Sequence, residues 1–162
     1  MEFQSPALEV LLVEDNPGDV LLTQEAFEEI TTSVRLHVVG DGAQALQFLR
    51  REEGYSNAPV PDLILLDLNL PTMTGCEVLE YIKADPELKR IPVVILTTSN
   101  SEDDIVKSYD LHANCFVTKP IDFDDFASAL RLVNEFWTRV AKLPPAQGAP
   151  RIAYGEAAAT GP

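Results

Sequence analysis

Two short runs, Leu63-Ile64-Leu65-Leu66 and Val93-Val94-Ile95-Leu96, are apolar at every position and are bounded by Pro61-Asp62 and Asp67 in one case, by Pro92 and Thr97 in the other. Runs of this length suit strands rather than helices, and a strand with no polar face has to be covered on both sides. A parallel sheet with helices on both faces meets that condition.

Three more apolar runs alternate with stretches of helical period, so the chain is expected to be α/β. We place strands at residues 8–13, 34–39, 62–67, 92–97 and 115–118, and helices at 17–31, 42–53, 75–84, 102–110 and 122–142. Asn16-Pro17-Gly18-Asp19 carries an Asx cap, a first-turn proline and an acid, and Ser101 and Asp122 open their helices in the same manner. Gly40-Asp41-Gly42 and Asp85-Pro86 read as turns. From Pro144 the sequence turns to Pro, Gly and Ala. Residues 1–6 and 144–162 are therefore expected to be flexible ends around one domain spanning 7–143.

In a parallel α/β sheet, ligands bind outside the carboxyl ends of the strands. Glu14-Asp15, Asp67, Thr97 and Lys119 stand at or just past the ends of the first, third, fourth and fifth runs, so the fold would bring them to one edge. Two like charges about 4 Å apart repel by about 4 kcal/mol at an effective dielectric of about 20, and a cation would offset that. Oxygen-only ligands favour Mg²⁺ or Mn²⁺ over zinc. Asp67, ending the central strand, is the candidate nucleophile that would form an acyl phosphate. The cation and Lys119 would neutralise the phosphoryl oxygens, and the Thr97 hydroxyl would donate to one of them.

Twelve basic against 26 acidic side chains leave a formal net charge of −14, which repels a polyanion and argues against nucleic-acid binding. No apolar run is long enough to span a membrane. Cys76 and Cys115 lie far apart and no cationic apolar leader is seen, so a reduced, cytoplasmic protein is expected, with both thiols serving as packing. His37 and His112 read as structural and surface residues, and Glu102-Asp103-Asp104 as charges at a helix N-terminus. In the last helix Phe126, Leu130, Val133, Trp137 and Val140 form one core-facing stripe. Leu132, Phe136 and Leu143 lie off it, which predicts a subunit interface using Phe136, Trp137 or Leu143.

Val13-Glu14-Asp15-Asn16, Leu66-Asp67-Leu68-Asn69-Leu70-Pro71 with Gly75 after it, Leu96-Thr97 and Thr118-Lys119-Pro120 together resemble the receiver domain of two-component response regulators, over roughly residues 7–142. The resemblance implies a flavodoxin-like (βα)5 doubly wound sheet of strand order 2-1-3-4-5. It makes Asp67 the phosphoacceptor, Asp15 a direct Mg²⁺ ligand, Glu14 a ligand through water, and Asn69 a ligand through its backbone carbonyl. Thr97 becomes the switch hydroxyl and Lys119 the phosphate-binding lysine, with Lys119-Pro120 a cis peptide. Phe116 takes the aromatic switch position often held by tyrosine, and Thr98 stands where alanine or glycine is frequent, which would narrow access to Asp67.

Ser108 to Phe116, Phe136-Trp137 and Lys142-Leu143-Pro144 are more narrowly similar to the small regulators paired with bacterial phytochrome histidine kinases. That likeness implies a single receiver with a phytochrome-type kinase as partner and a homodimer through the fourth helix, fifth strand and fifth helix. A phosphohydrolase of the haloacid-dehalogenase type needs a carboxylate two residues after the nucleophile, where this chain has Asn69. A phosphorylation-independent scaffold would be expected to have lost a site residue, and all five positions are filled. The tail is too short and polar for a DNA-binding domain.

Overall fold

The computed structural model of the chain describes residues 7–29 and 33–145. Five parallel strands, β1 (Leu8–Val13), β2 (Val34–Val39), β3 (Leu63–Leu66), β4 (Val93–Thr97) and β5 (Cys115–Thr118), form one sheet in the order β2-β1-β3-β4-β5. They alternate with α1 (Pro17–Glu28), α2 (Gly42–Arg50), α3 (Gly75–Ala84), α4 (Glu102–Asp110) and α5 (Phe123–Glu135). This is the parallel α/β sheet that the residue pattern predicts, in the doubly wound 2-1-3-4-5 order that the family resemblance implies.

Period-two alternation divides the core between the faces. Leu11, Val13, Ile64, Leu66, Val93 and Ile95 pack with Ala45, Leu46 and Leu49 of α2 and Val78, Leu79 and Ile82 of α3. On the opposite face Val10, Leu12, Leu63, Leu65 and Val94 meet Phe27 of α1, with Val133 and Trp137 packed alongside. All four residues of β3 are fully buried, as its unbroken apolar run requires. Each such side chain contributes about 1.5–3 kcal/mol relative to exposure.

Caps set where the helices begin. The Asn16 side chain accepts the N–H groups of Gly18 and Asp19, Ser101 that of Asp104, and Asp122 those of Asp124 and Asp125, as expected. Thr74 and Glu77 add a reciprocal capping box to α3. The acids opening α4 act as helix-end residues, with Asp104 accepting the Ser99 hydroxyl at 2.5 Å. His37 is likewise structural, bonded to Glu9 at 2.6 Å with its ring tilted on Phe48, and His112 lies exposed in the turn before β5. Cys76 and Cys115 are half-buried free thiols packed against the two core faces, and burial pushes both pKa values up.

Three helix ends differ from expectation. The first helix stops at Glu28, with Glu29 already in a turn, and residues 30 and 31 of the expected span lie outside the described residues. The second helix stops at Arg50 instead of 53, because Arg51 turns left-handed (φ 57°) and the Glu52 N–H bonds back to the Gln47 carbonyl at 2.9 Å. An arginine takes the place where glycine usually signals such a stop. The last helix changes at Phe136 into a single π-helical turn, Phe136–Val140, closed by the Ala141 N–H on the Phe136 carbonyl at 2.8 Å. That turn rotates the stripe and leaves Val140 68% exposed, so Val140 is not the core residue that its spacing suggests. Among the described residues no peptide bond is cis, so Lys119-Pro120 is trans, the ordinary state of an X-Pro bond. Of the ends expected to be flexible, residues 1–6 and 146–162 lie outside the described residues.

Asn134, fully buried on α5, has both side-chain amide atoms without a hydrogen-bond partner among the described residues. An unmet buried polar group costs about 1–3 kcal/mol, and Leu is close to Asn in shape. Asn134→Leu is expected to raise stability by about 1–3 kcal/mol in urea denaturation. A midpoint at or below that of wild type would show that the amide is satisfied in solution.

Candidate functional site

Backbone pairing carries the sequence-predicted residues to the carboxyl edge of the sheet. Glu14 N–H bonds the Val39 carbonyl at 3.1 Å, Asp67 N–H that of Val13 at 3.1 Å, and Lys119 N–H that of Thr97 at 2.7 Å. Each side chain thus leaves its strand just past the last ladder bond. Gly75, at the first position of α3, lets that helix start against the same backbone: a Cβ there would stand 2.1 Å from the Asp67 carbonyl oxygen.

Lys119 is the hub. Its side chain is only 4% exposed, and Nζ donates to Glu14 Oε2 at 2.5 Å, Asp19 Oδ2 at 2.9 Å and Asp67 Oδ2 at 3.1 Å. Asp67 Oδ1 accepts the Asn69 N–H at 3.1 Å, and Glu14 Oε1 that of Asn16 at 3.0 Å. Burial pushes the Glu14 carboxyl up to about 7 against the pull of the Lys119 ammonium. For Lys119 burial acts downward, but hydrogen bonds and charge from Asp19, Glu14 and Asp67 outweigh it and hold the ammonium above its ordinary range.

Glu14, Asp15 and Asp67 each offer a carboxylate oxygen within 4.8 Å of the others, with Glu14 and Asp67 buried and Asp15 exposed. Three hard anionic oxygens in one cluster fit Mg²⁺ or Mn²⁺, which take oxygen ligands and retain water. Asn69, whose backbone carbonyl the family resemblance adds to the ligands, is exposed in the loop after Asp67.

Thr97 is fully buried and its Oγ1 accepts the Ser99 N–H at 3.4 Å. Phe116 is half-buried against the core beneath α2 and α3, and Thr98 is exposed. Phe136, Trp137 and Leu143 stand apart from this edge. Phe136 is 49% exposed and meets Trp137 edge-on at 5.2 Å, while Trp137 and Leu143 are half-buried.

Asp19 is the residue that sequence reasoning missed. Read alone, it is a first-turn acid favoured by the helix dipole. The signal that would have found it is the three-residue connection, Glu14 to Asn16, between β1 and α1. So short a link hangs the first turn of α1 over the same edge that Lys119 reaches.

A five-stranded 2-1-3-4-5 sheet whose carboxyl edge gathers acids around a buried lysine defines a receiver, and the response regulator receiver domain family matches residues 10–131. The chain belongs to that family. Among particular proteins, it is 46% identical over 142 residues to the response regulator Rcp1 of Synechocystis sp., covering 88% of this chain and 97% of the relative. The crystal structure of the Mn²⁺-bound form of Rcp1 superposes with a TM-score of 0.84 at 46% identity, covering 85% of this chain and 99% of that one. The phosphorylated cyanobacterial phytochrome response regulator RcpA does so with a TM-score of 0.84 at 49% identity, covering 86% and 100%.

Proposed function

We propose that this receiver is a phosphorylation switch in which Asp67 accepts a phosphoryl group from a phosphohistidine of a phytochrome-type histidine kinase. The single observation that carries the assignment is the Asp67 carboxylate, buried at the end of the central strand, 3.1 Å from the Lys119 ammonium and clustered with Glu14 and Asp15. An Asp67 oxygen attacks phosphorus in line, the P–N bond to the kinase imidazole breaks as the P–O bond forms, and an acyl phosphate results. Bound Mg²⁺ supplies positive charge for the phosphoryl oxygens. Glu14, Asp15, Asp67 and the Asn69 carbonyl would hold it, Glu14 through water. Lys119 balances the same oxygens, and the Thr97 hydroxyl gives up Ser99 to donate to one of them, with Phe116 following as the aromatic switch. The catalysis is confined to the protein's own phosphorylation and dephosphorylation.

The kinase class is supported by the likeness to Rcp1 and RcpA, the latter a phytochrome response regulator in its phosphorylated form. Apolar surface beside the site suits a protein donor. Ile121 and Phe123, just after Lys119, and Leu21, two residues after Asp19, are all exposed. We place the protein in the cytoplasm, away from nucleic acid, in keeping with its net charge of −14. No helix among the described residues is long and apolar enough to cross a membrane. Acetyl phosphate with Mg²⁺ should label the protein, and excess chelator should suppress the label. Undiminished labelling in chelator would overturn the metal-assisted mechanism.

The same reading includes a homodimer through α4, β5 and α5. β5 is one of the two edge strands, and beside it Leu132, Phe136 and Val140 of the α5 segment and Val106 and Tyr109 of α4 are exposed. Apolar surface of this extent on one edge marks an interface. Sedimentation velocity at micromolar concentration is expected to show a dimer for wild type and a monomer for Phe136→Glu. A monomeric wild type or a dimeric variant would remove this interface.

A further inference from the structure

The loop that carries Asn69, residues Leu68–Thr74, is anchored at three places. At its start the Asn69 N–H bonds Asp67 Oδ1 at 3.1 Å, and at its end the Gly75 N–H bonds the Leu68 carbonyl at 2.9 Å. Its middle rests on the N-terminus of α2, an element with no residue in the site. Helices begin with N–H groups that lack intrahelical partners. Here the Gly42 N–H goes to the Pro71 carbonyl at 3.4 Å and the Ala43 N–H to the Thr72 hydroxyl at 3.3 Å, while the third, on Gln44, is taken by the Asp41 carboxylate at 2.8 Å. The Thr72 hydroxyl also bonds Asp41 Oδ1 at 3.4 Å, and Thr72 holds a left-handed backbone (φ 67°) to make the turn.

This seating depends on the missing side chain of Gly42. A Cβ there would lie 2.6 Å from Met73 Cβ and 2.6 Å from the Met73 carbonyl oxygen, with the Met73 carbonyl carbon at 3.1 Å. The Met73 side chain, half-buried against the core, is not free to swing aside, and a backbone oxygen cannot. Any larger residue therefore pushes the loop off the helix. The α2 N-terminus is itself fixed from beneath by Ala45 and Leu46 in the core, so the displacement falls on the loop.

We infer that Gly42 is a positioning residue for cation binding: by letting the Leu68–Thr74 loop seat on the N-terminus of α2, it sets where Asn69 stands relative to Asp67. Thr72 is the second half of the clamp. The inference rests on the reading of Asp67 and Asn69 as a cation site, and the test separates the two. Mg²⁺ alone is titrated calorimetrically into the full chain, with folding checked by circular dichroism. Wild type should bind, Gly42→Ala should remain folded and bind about tenfold or more weakly, as loss of a residue supporting metal ligands typically does. Thr72→Val, which removes the hydroxyl at nearly constant shape, should bind more weakly than wild type, and Thr72→Ser should restore affinity. A wild type that binds no Mg²⁺ overturns the cation site and this inference with it. A wild type that binds, with folded Gly42→Ala binding equally well, overturns the inference alone. Should Gly42→Ala fail to fold, equal affinities in wild type, Thr72→Val and Thr72→Ser overturn it.

Discussion

Asp67→Ala is expected to reduce labelling by acetyl phosphate to the level of a blank, and borohydride trapping should find no modified aspartate in the variant. The expected loss is complete because, among the described residues, no other carboxylate has the same setting. Asp15 is exposed and would be occupied by the cation, Glu14 has one oxygen on Lys119 and the other on the Asn16 N–H, and Asp19 faces Lys119 from α1. The variant should fold, since the bond that fixes this position runs from the Asp67 backbone to Val13 and not from the side chain. Lys119 would keep Glu14 and Asp19 as partners. Labelling that survives at another aspartate would move the phosphoacceptor and take the proposed mechanism with it.

The fold was legible because its strongest constraints are local. Leu63–Leu66 and Val93–Leu96 announced buried parallel strands, and Asn16, Ser101 and Asp122 announced helix starts, with physics that acts within a few residues. The misread ends have equally definite causes. Arg51 adopts a backbone state that its side chain does not advertise, and the π-helical turn after Glu135 shifts the register without any proline or glycine to mark it. At the site, strand ends located Glu14, Asp15, Asp67, Thr97 and Lys119, because strand direction alone decides which edge they share. The place of Asp19 at the site, and the close approach of Gly42, read only as a turn residue, to Met73, were missed for the opposite reason. What matters about each is a contact across about 100 or 30 residues of sequence, Asp19 to Lys119 and Gly42 to Met73, that no local pattern encodes. The trans Lys119-Pro120 bond differs from the family expectation for the same reason that such bonds are usually trans, a modest intrinsic preference.

Read from sequence, Lys119 serves the phosphorylated state; the structure adds a role at rest, and Lys119→Ala is expected to unmask it. The ammonium is the partner of Glu14 and Asp67, whose side chains are buried like its own, and removing one member of a buried ion cluster costs about 3–5 kcal/mol. For a domain of this size that lowers the melting temperature by about 10 °C in metal-free buffer. Mg²⁺ should return much of it, since a ligand binding only the folded state at 100 times its Kd adds about 2.7 kcal/mol. The pH dependence has a definite sign. Glu14 is raised in the folded protein from its ordinary 4.5 to about 7 by burial, so the folded state retains a proton that the unfolded chain has lost. The cost of burying it is absent below pH 4.5 and grows as pH rises through 7. Without Lys119 the carboxyl moves higher still, so the metal-free variant should lose more stability between pH 6 and 8 than wild type does. Thermal melts of both proteins at these two pH values, with chelator and with Mg²⁺, test every step. A variant as stable as wild type in chelator at pH 8 would mean that the resting carboxylates do not depend on Lys119. Lasting instability in saturating Mg²⁺ would mean that the cation does not take its place among them.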